Sequence, residues 1–221
     1  MNYLLHIDTS GDTASICLTA DNDVVGLRMN ESRNDHASWL HPAIQALLTE
    51  NRLTGVQLQA VSVSIGPGSY TGLRIGLSAA KGLCFAAGIP LITADTLTMM
   101  ALAAQAEATD LICPLIDARR MEVFTALYDK HLQVITPPQA MILEDTSFLA
   151  VLNEHSILFC GNGSKKLHSS IFSANAMVSV ITASAVHLAT LALLKYNKKE
   201  FADLAYTEPL YIKEFYSVIR K

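Results

Sequence analysis

The chain has 221 residues, of which 51% are hydrophobic and 16% are charged, and its formal net charge is −4 at pH 7. This composition is typical of an apolar globular protein and excludes a disordered chain. The net negative charge argues against direct nucleic-acid binding as the main activity, because proteins that grip nucleic acid alone are usually basic. The high apolar content indicates that part of the surface is reserved for a partner protein.

The sequence has no feature of a membrane or secreted protein. The most apolar stretch, Leu77–Ala94, is interrupted by Lys81 and Pro90, so no uninterrupted run of about 18 apolar residues exists. The N-terminal apolar segment lacks a basic region and meets Asp8 too early for a signal peptide. Four cysteines lie among apolar neighbours without a Cys-x-x-Cys pair, which is typical of buried free thiols in a reducing compartment. We therefore expect a cytoplasmic protein without membrane contact.

Hydrophobic periodicity predicts strands and helices that alternate through the first half of the chain. The predicted strands are Tyr3–Asp8, Ala14–Ala20, Val24–Met29, Ala60–Ile65 and Pro90–Ala94, and the predicted helices are Asp35–Asn51, Thr71–Ala87 and Thr96–Ala106. The first three strands form an antiparallel meander, and Asp35 is placed to cap the helix that follows. Strand pairs joined by helices indicate an α/β fold, with a mixed sheet and helices packed on it.

The second half begins like a weak repeat of the first. His6-Ile7-Asp8-Thr9 leads into one strand, and Leu115-Ile116-Asp117-Ala118 leads into the strand Met121–Tyr128. A strand, an aspartate, a turn and a second strand in both halves is the pattern of a duplicated lobe, although the combination is a common one. Further along we expect a strand that ends at Thr136-Pro137-Pro138, a strand Ser156–Cys160, a helix Ser184–Tyr196 and a tail Pro209–Lys221 without clear period.

The most informative stretch is Ser64–Gly76, which combines a strand end, a glycine turn and a helix start. Gly66 and Gly68 allow backbone angles that other residues resist, and Ser69 can cap the free amides of the helix. Amides at such a point can bind an anion, so Gly66, Gly68 and Ser69 are candidates for an anion site. The alternative is a simple turn, which is the more frequent use of glycines before a helix.

Small residues at a spacing of four continue into the helix. Gly72, Gly76 and Ala80 make a smooth helix face on which another backbone can sit closely. Such a face either packs inside the protein or receives a partner.

Several segments together resemble one protein family: Ile7-Asp8-Thr9-Ser10, Gly66–Gly76, Ala80-Lys81-Gly82-Leu83 and Asp117–Val123. They are similar to the bacterial TsaB (YeaZ) subunits of threonylcarbamoyladenosine biosynthesis. The similarity runs to about Tyr128, and beyond it only Pro209-Leu210-Tyr211-Ile212 looks familiar. The chain departs from the family pattern at Met121, where glycine usually follows the arginine pair. The turn tolerates this change if Met121 avoids a positive φ.

The resemblance implies the actin/Hsp70-like, ribonuclease-H-like fold, with two lobes that each contain a mixed β-sheet flanked by helices. We place an N-terminal lobe at residues 1–105 and a smaller, divergent lobe at residues 106–221, whose last helix can pack back on the first. It also implies a non-catalytic subunit that supports a catalytic sister subunit, which transfers threonylcarbamoyl to the adenosine beside the tRNA anticodon. The implied partners are that sister subunit and a small ATPase, with a homodimer in isolation and tRNA reached only indirectly. Whether a nucleotide binds at the complex interface stays open.

Individual residues bear on whether the chain is catalytic. The sister subunit binds a metal through a His-x-x-x-His helix, and the matching positions here are Thr96 and Met100, so we expect no metal site. His36 and His41 are five residues apart, which turns them about 140° from each other on a helix and makes a shared ion improbable. They are better explained as partner-facing or capping groups.

A nucleotide or a catalytic metal would also need groups that this chain lacks. Actin-like kinases cradle phosphates between two turns of small residues. The first turn, Thr9–Asp12, fits, but the second contains Arg119-Arg120-Met121, which is too bulky, so we expect no resident cofactor. The arginine pair is explained by solvent or partner contact. Asp8 and Asp117 resemble the acids of ribonuclease-H-like enzymes, but lone aspartates at strand ends are more often turn formers.

The main hypothesis is an adaptor without catalytic residues that binds the sister subunit through the helices Asp35–Asn51 and Thr71–Ala87. The candidate interface residues are His36, Trp39, His41, Gly72, Arg74, Gly76, Ala80 and Lys81. One alternative is an enzyme, either glycoprotease-like metallopeptidase or actin-like small-molecule kinase. Another is a purely structural homodimer without a role in tRNA modification.

Overall fold

The structure, a computed structural model, describes residues 1–32, 35–171 and 174–213. The first sheet contains β1 (Tyr3–Asp8), β2 (Ala14–Ala20), β3 (Asp23–Asn30), β4 (Leu58–Ser64) and β5 (Leu91–Ala94). Its strand order is β3-β2-β1-β4-β5, with β1, β2 and β3 antiparallel and β4 and β5 parallel to β1. The predicted meander and the five predicted strands are confirmed.

The second sheet repeats this topology. It contains β6 (Leu111–Asp117), β7 (Glu122–Asp129), β8 (Val134–Ile142), β9 (Ile157–Cys160) and β10 (Ala176–Val178) in the order β10-β9-β6-β7-β8. Strands β6, β7 and β8 are antiparallel, and β9 and β10 are parallel to β6, as in the first sheet. The weak sequence repeat therefore corresponds to a duplicated topology.

One strand boundary was predicted wrongly. Pro137 and Pro138 lie inside β8, whereas the sequence indicated that a strand ends there. Because β8 is at the edge of its sheet and pairs only with β7, its outer side needs no amide donors, and proline is tolerated. The pairing shifts register at Leu127, opposite Thr136, where the prolines begin.

Five α-helices accompany the sheets in the described residues: α1 (His36–Glu50), α2 (Tyr70–Ala87), α3 (Thr96–Ala104), α4 (Leu149–Leu152) and α5 (Ala185–Lys198). Helices α1 and α2 pack on one face of the first sheet. In α1 the residues Leu40, Ile44 and Leu47 are buried at the predicted three- and four-residue spacing. None of the helices in the described ranges is long and apolar enough to cross a membrane.

The N-cap of α1 differs from the expectation, whereas that of α2 agrees with it. Asp35 occupies the N-cap position of α1, but its carboxylate accepts a hydrogen bond from Ser32 Oγ at 2.8 Å instead of from a helix amide. Asp35 is therefore the N-cap residue, as predicted, but its side chain makes no hydrogen bond to a helix amide. Ser69 does cap α2, because its hydroxyl accepts a hydrogen bond from the Gly72 amide at 3.2 Å.

Helices α3 and α5 lie between the two sheets. Ala185 and Ala189 of α5 pack on Cys17, on the face of the first sheet opposite α1 and α2, and the Ala185 amide donates to Ser15 Oγ at 2.8 Å. Helix α3 packs on the second sheet, and its Met99 contacts α5. The chain passes from the first sheet to the second between β5 and β6, and α5 then contacts the strands of the first sheet. Residues 214–221 of the tail lie outside the described residues.

All four cysteines are buried and free. Burial raises the pKa of the Cys84 thiol to about 11 and those of Cys17 and Cys113 to about 12. The prediction of buried free thiols is therefore confirmed.

Candidate partner-binding surface

The loop between β4 and α2 is held against the turn that follows β1. Gly66 has a φ of +115°, a region that favours glycine, and a cis peptide bond to Pro67 follows. Gly68 lies so close to the carbonyl oxygen of Ser10 that an added Cβ would overlap it. The Ser69 amide donates to the same carbonyl at 2.7 Å. The glycines therefore permit a close backbone approach that fixes the start of α2.

The three candidates for an anion site have structural roles in this loop. Ser69 uses its amide on the Ser10 carbonyl and its hydroxyl on the Gly72 amide. The carbonyl of Gly66 accepts a hydrogen bond from the Thr96 amide at 2.8 Å. Two amides that an anion would need are thus already bonded, and the contacts favour the alternative of a simple turn.

The smooth face of α2 points into the protein. A Cβ at Gly72 would overlap the carbonyl oxygen of Thr9, and a Cβ at Gly76 would overlap Thr9 Oγ1. Ala80 is fully buried in the core of the first lobe. These three residues were predicted as interface candidates, and that prediction was wrong, because the face they share packs on β1 and β4 and leaves no room for a partner.

The opposite side of α2 forms an open groove with α1. The groove has a volume of about 700 Å³. Its lining is mostly apolar, with polar groups at the rim, and comprises Ala37, His41, Tyr70, Thr71, Arg74, Ile75, Ser78, Ala79, Gly82 and Leu83. Phe85 follows Ser78 by two helical turns on the same side of α2, and its side chain is 82% exposed. The sequence reasoning did not single out Phe85.

The remaining interface candidates divide between this groove and the interior. Arg74 and His41 line the groove, and Lys81 lies about two turns after Arg74 along α2, where its ammonium donates to the Ala205 carbonyl at 3.0 Å. Trp39 is partly buried against the core of the lobe. His36 is buried, and its Nε2 lies 3.2 Å from the Gly11 carbonyl, so the expectation of a partner-facing His36 was wrong.

Arg74 is held between two tyrosines. Its guanidinium carbon lies 4.0 Å from the ring centre of Tyr70 and 6.0 Å from that of Tyr211, and its Nε donates to the Tyr211 hydroxyl at 2.9 Å. This hydrogen bond raises the pKa of Arg74 above its ordinary value. Tyr211 belongs to the short motif that looked familiar near the C-terminus, but nothing in the sequence placed it beside α2.

The aspartates at the strand ends are engaged in local structure. Oδ1 of the buried Asp8 accepts hydrogen bonds from Ser64 Oγ at 2.6 Å, Ser10 Oγ at 2.7 Å and the Ser10 amide at 3.1 Å. Asp117 Oδ1 accepts from the Arg119 amide at 2.6 Å and from the Lys166 ammonium at 2.5 Å. Both contact sets agree with turn formation.

The second turn is unlike a phosphate cradle. Arg119 and Arg120 have φ values of +70° and +48°, and both side chains are exposed. Met121 is outside the positive-φ residues, so the change from glycine is tolerated as predicted. Two bulky side chains occupy the positions where small residues would let a phosphate approach.

The positions matched to the metal-binding histidines do not fit a metal. Thr96 is buried, and its Oγ1 has no hydrogen-bond partner within the described residues. The Cε atom of Met100 lies so close to Gly161 that an added Cβ there would overlap it, so it packs against the second lobe. In the ranges that the structure describes, no group of three or more His, Cys, Asp or Glu side chains is placed to hold a metal ion.

Two mixed sheets of one topology, with helices between and around them, define a two-lobed α/β protein of the actin/Hsp70-like, ribonuclease-H-like class. Two solved structures share the whole fold at 23% sequence identity. YeaZ from Pseudomonas aeruginosa has a TM-score of 0.78, and a protein described as similar to peptidase YeaZ has 0.83. Each match covers 96% of this chain and 100% of the other.

Sequence comparison is more specific. The chain matches the family model "TsaD: tRNA N6-adenosine threonylcarbamoyltransferase" over residues 26–208. It is 30% identical to the tRNA threonylcarbamoyladenosine biosynthesis protein TsaB of Bacillus subtilis, across 95% of this chain and 93% of that protein. It is 33% identical to TsaB of Escherichia coli over 58% of this chain and 55% of that one. The chain therefore belongs to the TsaD family and, within it, to the TsaB (YeaZ) group.

Proposed function

We propose that the chain is a non-catalytic adaptor in the formation of threonylcarbamoyladenosine in tRNA. In this role it binds a catalytic threonylcarbamoyltransferase homologue through α1 and α2. The names of the Bacillus subtilis and Escherichia coli relatives support the pathway. The observation that carries the adaptor role is the open groove between α1 and α2, with Phe85 exposed beside it.

The chemistry of the groove suits a protein partner. Its lining includes the half-buried apolar side chains of Ile75 and Leu83 and the exposed polar side chains of Arg74 and His41. An apolar centre with a polar rim is the usual anatomy of a protein interface, and arginine and aromatic residues contribute most of the binding energy. Burial of a phenylalanine as exposed as Phe85 contributes about 1.5–3 kcal/mol. A groove lined by lysine or carboxylate side chains would instead have indicated a surface that stays exposed to solvent.

Several contacts support the absence of catalysis by this chain. Asp8 accepts hydrogen bonds from serine donors at Oδ1, and Asp117 is paired with Lys166. Thr96 and Met100 stand at the positions of the metal-binding histidines, and the turn at Arg119 is too crowded to cradle a phosphate. The lobes thus keep the scaffold of an actin-like enzyme without the groups that its chemistry requires.

The proposal includes the assembly. The catalytic sister subunit occupies the α1–α2 face, a small ATPase joins that complex, and in isolation a second copy of this chain takes the same face. Transfer RNA is contacted only through the complex. Whether a nucleotide binds stoichiometrically at the interface is a separate question, which nucleotide titration of the assembled complex answers.

Gly82 offers a sharp test of the interface. It lies in the groove, is exposed, and has no atom within 4 Å of an added Cβ, so Gly82→Glu is accommodated within the monomer. A carboxylate buried in an apolar interface is costly, so the affinity for the catalytic homologue should fall at least about 100-fold. Isothermal titration with the purified homologue measures the loss, and sedimentation measures the homodimer.

Gly55 provides the matched control. Gly55 also has open space around an added Cβ, and it lies outside the groove. Gly55→Glu therefore adds the same charge as Gly82→Glu at a site away from the proposed interface. The control variant should bind like the parent chain. Cells in which the Gly82→Glu variant is the sole copy of this chain should also lose threonylcarbamoyladenosine from their tRNA. Tight binding by Gly82→Glu would reject the α1–α2 interface, and unchanged tRNA modification after depletion of the chain would reject the pathway.

A further inference from the structure

The segment Asp203–Lys213, called here the C-terminal strap, crosses the first lobe. The strap begins after Ala202, whose amide donates to the Leu91 carbonyl at 2.8 Å. Its Ala205 carbonyl accepts from Lys81 at 3.0 Å, and its Leu210 amide donates to the Ile65 carbonyl at 2.7 Å. These bonds lay the strap along α2 and over the loop before it.

The strap then reaches the end of the groove. The rings of Tyr211 and Tyr70 lie 5.5 Å apart, and the Tyr211 hydroxyl accepts the Nε hydrogen of Arg74. Two residues later, Lys213 donates to the Glu122 carboxylate of the second lobe at 2.6 and 2.9 Å. The strap is thus anchored on both sides of Tyr211, which contacts the groove residues Tyr70 and Arg74.

We propose that Tyr211 is a positioning residue that holds the Arg74 guanidinium at the rim of the groove, ready to bind an acidic group of the partner. The inference rests on the proposed function, because it concerns how the same surface recognises its partner. It adds a residue 137 positions away in sequence from the one it controls. The partner chemistry is a carboxylate placed beside an apolar face that fills the groove.

Ordering Arg74 before binding is the physical reason for this arrangement. A free arginine on a helix surface samples many rotamers, and a partner must immobilise it during association. Here the Tyr70 ring supports the guanidinium plane and Tyr211 takes its Nε hydrogen. In the described part of the chain the hydrogen bond of Arg74 uses Nε, the Glu208 carboxylate of the strap is an electrostatic neighbour, and the guanidinium has further Nη donors for a partner carboxylate.

Substitutions at Tyr211 separate the ring from its hydroxyl. Tyr211→Phe keeps the stacked ring and removes the hydrogen bond, so the affinity for the purified catalytic homologue should fall about fivefold, whereas Tyr211→Ala should lower it about 20-fold. In an Arg74→Ala background neither change should have a further effect, because the residue that Tyr211 positions is gone. Tyr206→Ala is the matched control, since Tyr206 lies in the same strap and is 84% exposed.

The Arg74 side chain itself supplies a second readout. In the free protein its Nε hydrogen should exchange slowly and give a separate nuclear magnetic resonance signal, which Tyr211→Phe should abolish without a change of Tm beyond about 2 °C. Tyr211→Phe that binds like the parent, while Arg74→Ala binds weakly, would overturn the positioning role and leave the proposed function intact. The positioning role would also be overturned if Tyr211→Ala lowered the affinity for the homologue equally in the parent chain and in the Arg74→Ala background. A parent chain that does not bind the homologue at all would instead refute the proposed function.

Discussion

Two glycines on one helix should respond in opposite ways to the same substitution. Gly76 and Gly82 both lie in α2, but a Cβ at Gly76 would overlap Thr9 Oγ1, whereas a Cβ at Gly82 meets no atom within 4 Å. We expect Gly76→Ala to destabilise the protein and Gly82→Ala to stabilise it. Helix propensity alone would favour alanine at both positions.

The magnitude at Gly76 follows from what must move. The added methyl also meets Val63 Cγ2 at 3.4 Å and Ile7 Cγ2 at 3.6 Å, so the core behind Thr9 cannot yield easily. Thr9 Oγ1 would have to leave the Gly72 carbonyl, to which it donates at 2.7 Å. Overpacking costs about 1–3 kcal/mol and an unsatisfied buried group about 1–3 kcal/mol, against a helix gain below about 1 kcal/mol. The middle of each range gives a net loss of about 3 kcal/mol, which we take as about 2–4 kcal/mol, while Gly82→Ala should gain about 0.5–1 kcal/mol.

Urea unfolding of the parent and the two variants, followed by circular dichroism, measures both changes. At this chain length the loss at Gly76 corresponds to a Tm lower by about 4–16 °C. A Gly76→Ala protein as stable as the parent would mean that the smooth face of α2 does not pack on β1. That result would reopen this face as a partner surface, and the internal position of Gly76 would be refuted.

Three further outcomes are expected. His6 is fully buried, with its ring nitrogens 2.7 Å from Ser62 Oγ and 2.9 Å from Thr19 Oγ1, and burial lowers its pKa from 6.5 to about 3. Between these two pKa values the unfolded chain binds a proton at His6 that the native chain does not bind. The contribution of His6 to the free energy of unfolding is therefore complete above about pH 6.5 and falls by about 1.4 kcal/mol per pH unit toward pH 3. In urea titrations between about pH 7 and 5, the free energy of unfolding of His6→Gln should depend on pH less steeply than that of the parent, by the equivalent of about one proton. Equal slopes for the parent and the variant would contradict this prediction. Asp8→Asn weakens charge-assisted hydrogen bonds and should lower the free energy of unfolding by about 1–3 kcal/mol, again by urea titration; no change would mean that the serine donors do not act on a carboxylate. A thiol-specific reagent should react with none of the four cysteines in the native protein and with all four after denaturation, and rapid native labelling would show that at least one thiol is accessible.

Elements with a strong local period were predictable from the sequence. Strands β1 and β2 were found near their observed bounds because they are short β-prone runs bounded by turn residues, and helix α1 because its apolar residues recur at helical spacing. The loop from Gly66 to Gly76 identified the family, because close backbone approach demands glycine at particular points. The run through Pro137 and Pro138 was missed, since only the order of strands makes β8 an edge.

The candidate site was half predictable. The sequence offered Arg74 and Lys81 as interface candidates, and helical spacing placed Gly72, Gly76 and Ala80 together on one face. Spacing could not say which of the faces is covered, because burial depends on elements that are distant in the chain. The carbonyl of Thr9 covers the glycine face, and the groove with α1 stays open.

The sequence by itself determined the α/β class, the family, the buried cysteines and the lack of a histidine pair at Thr96 and Met100, because composition, period and motif are local properties. Only the tertiary structure decided that Gly76 is internal, that Phe85 stands exposed and that Tyr211 holds Arg74. Those three facts depend on which distant segments meet. A one-dimensional pattern states that residues share a face, but the neighbour that covers that face is chosen by the packing of the whole chain.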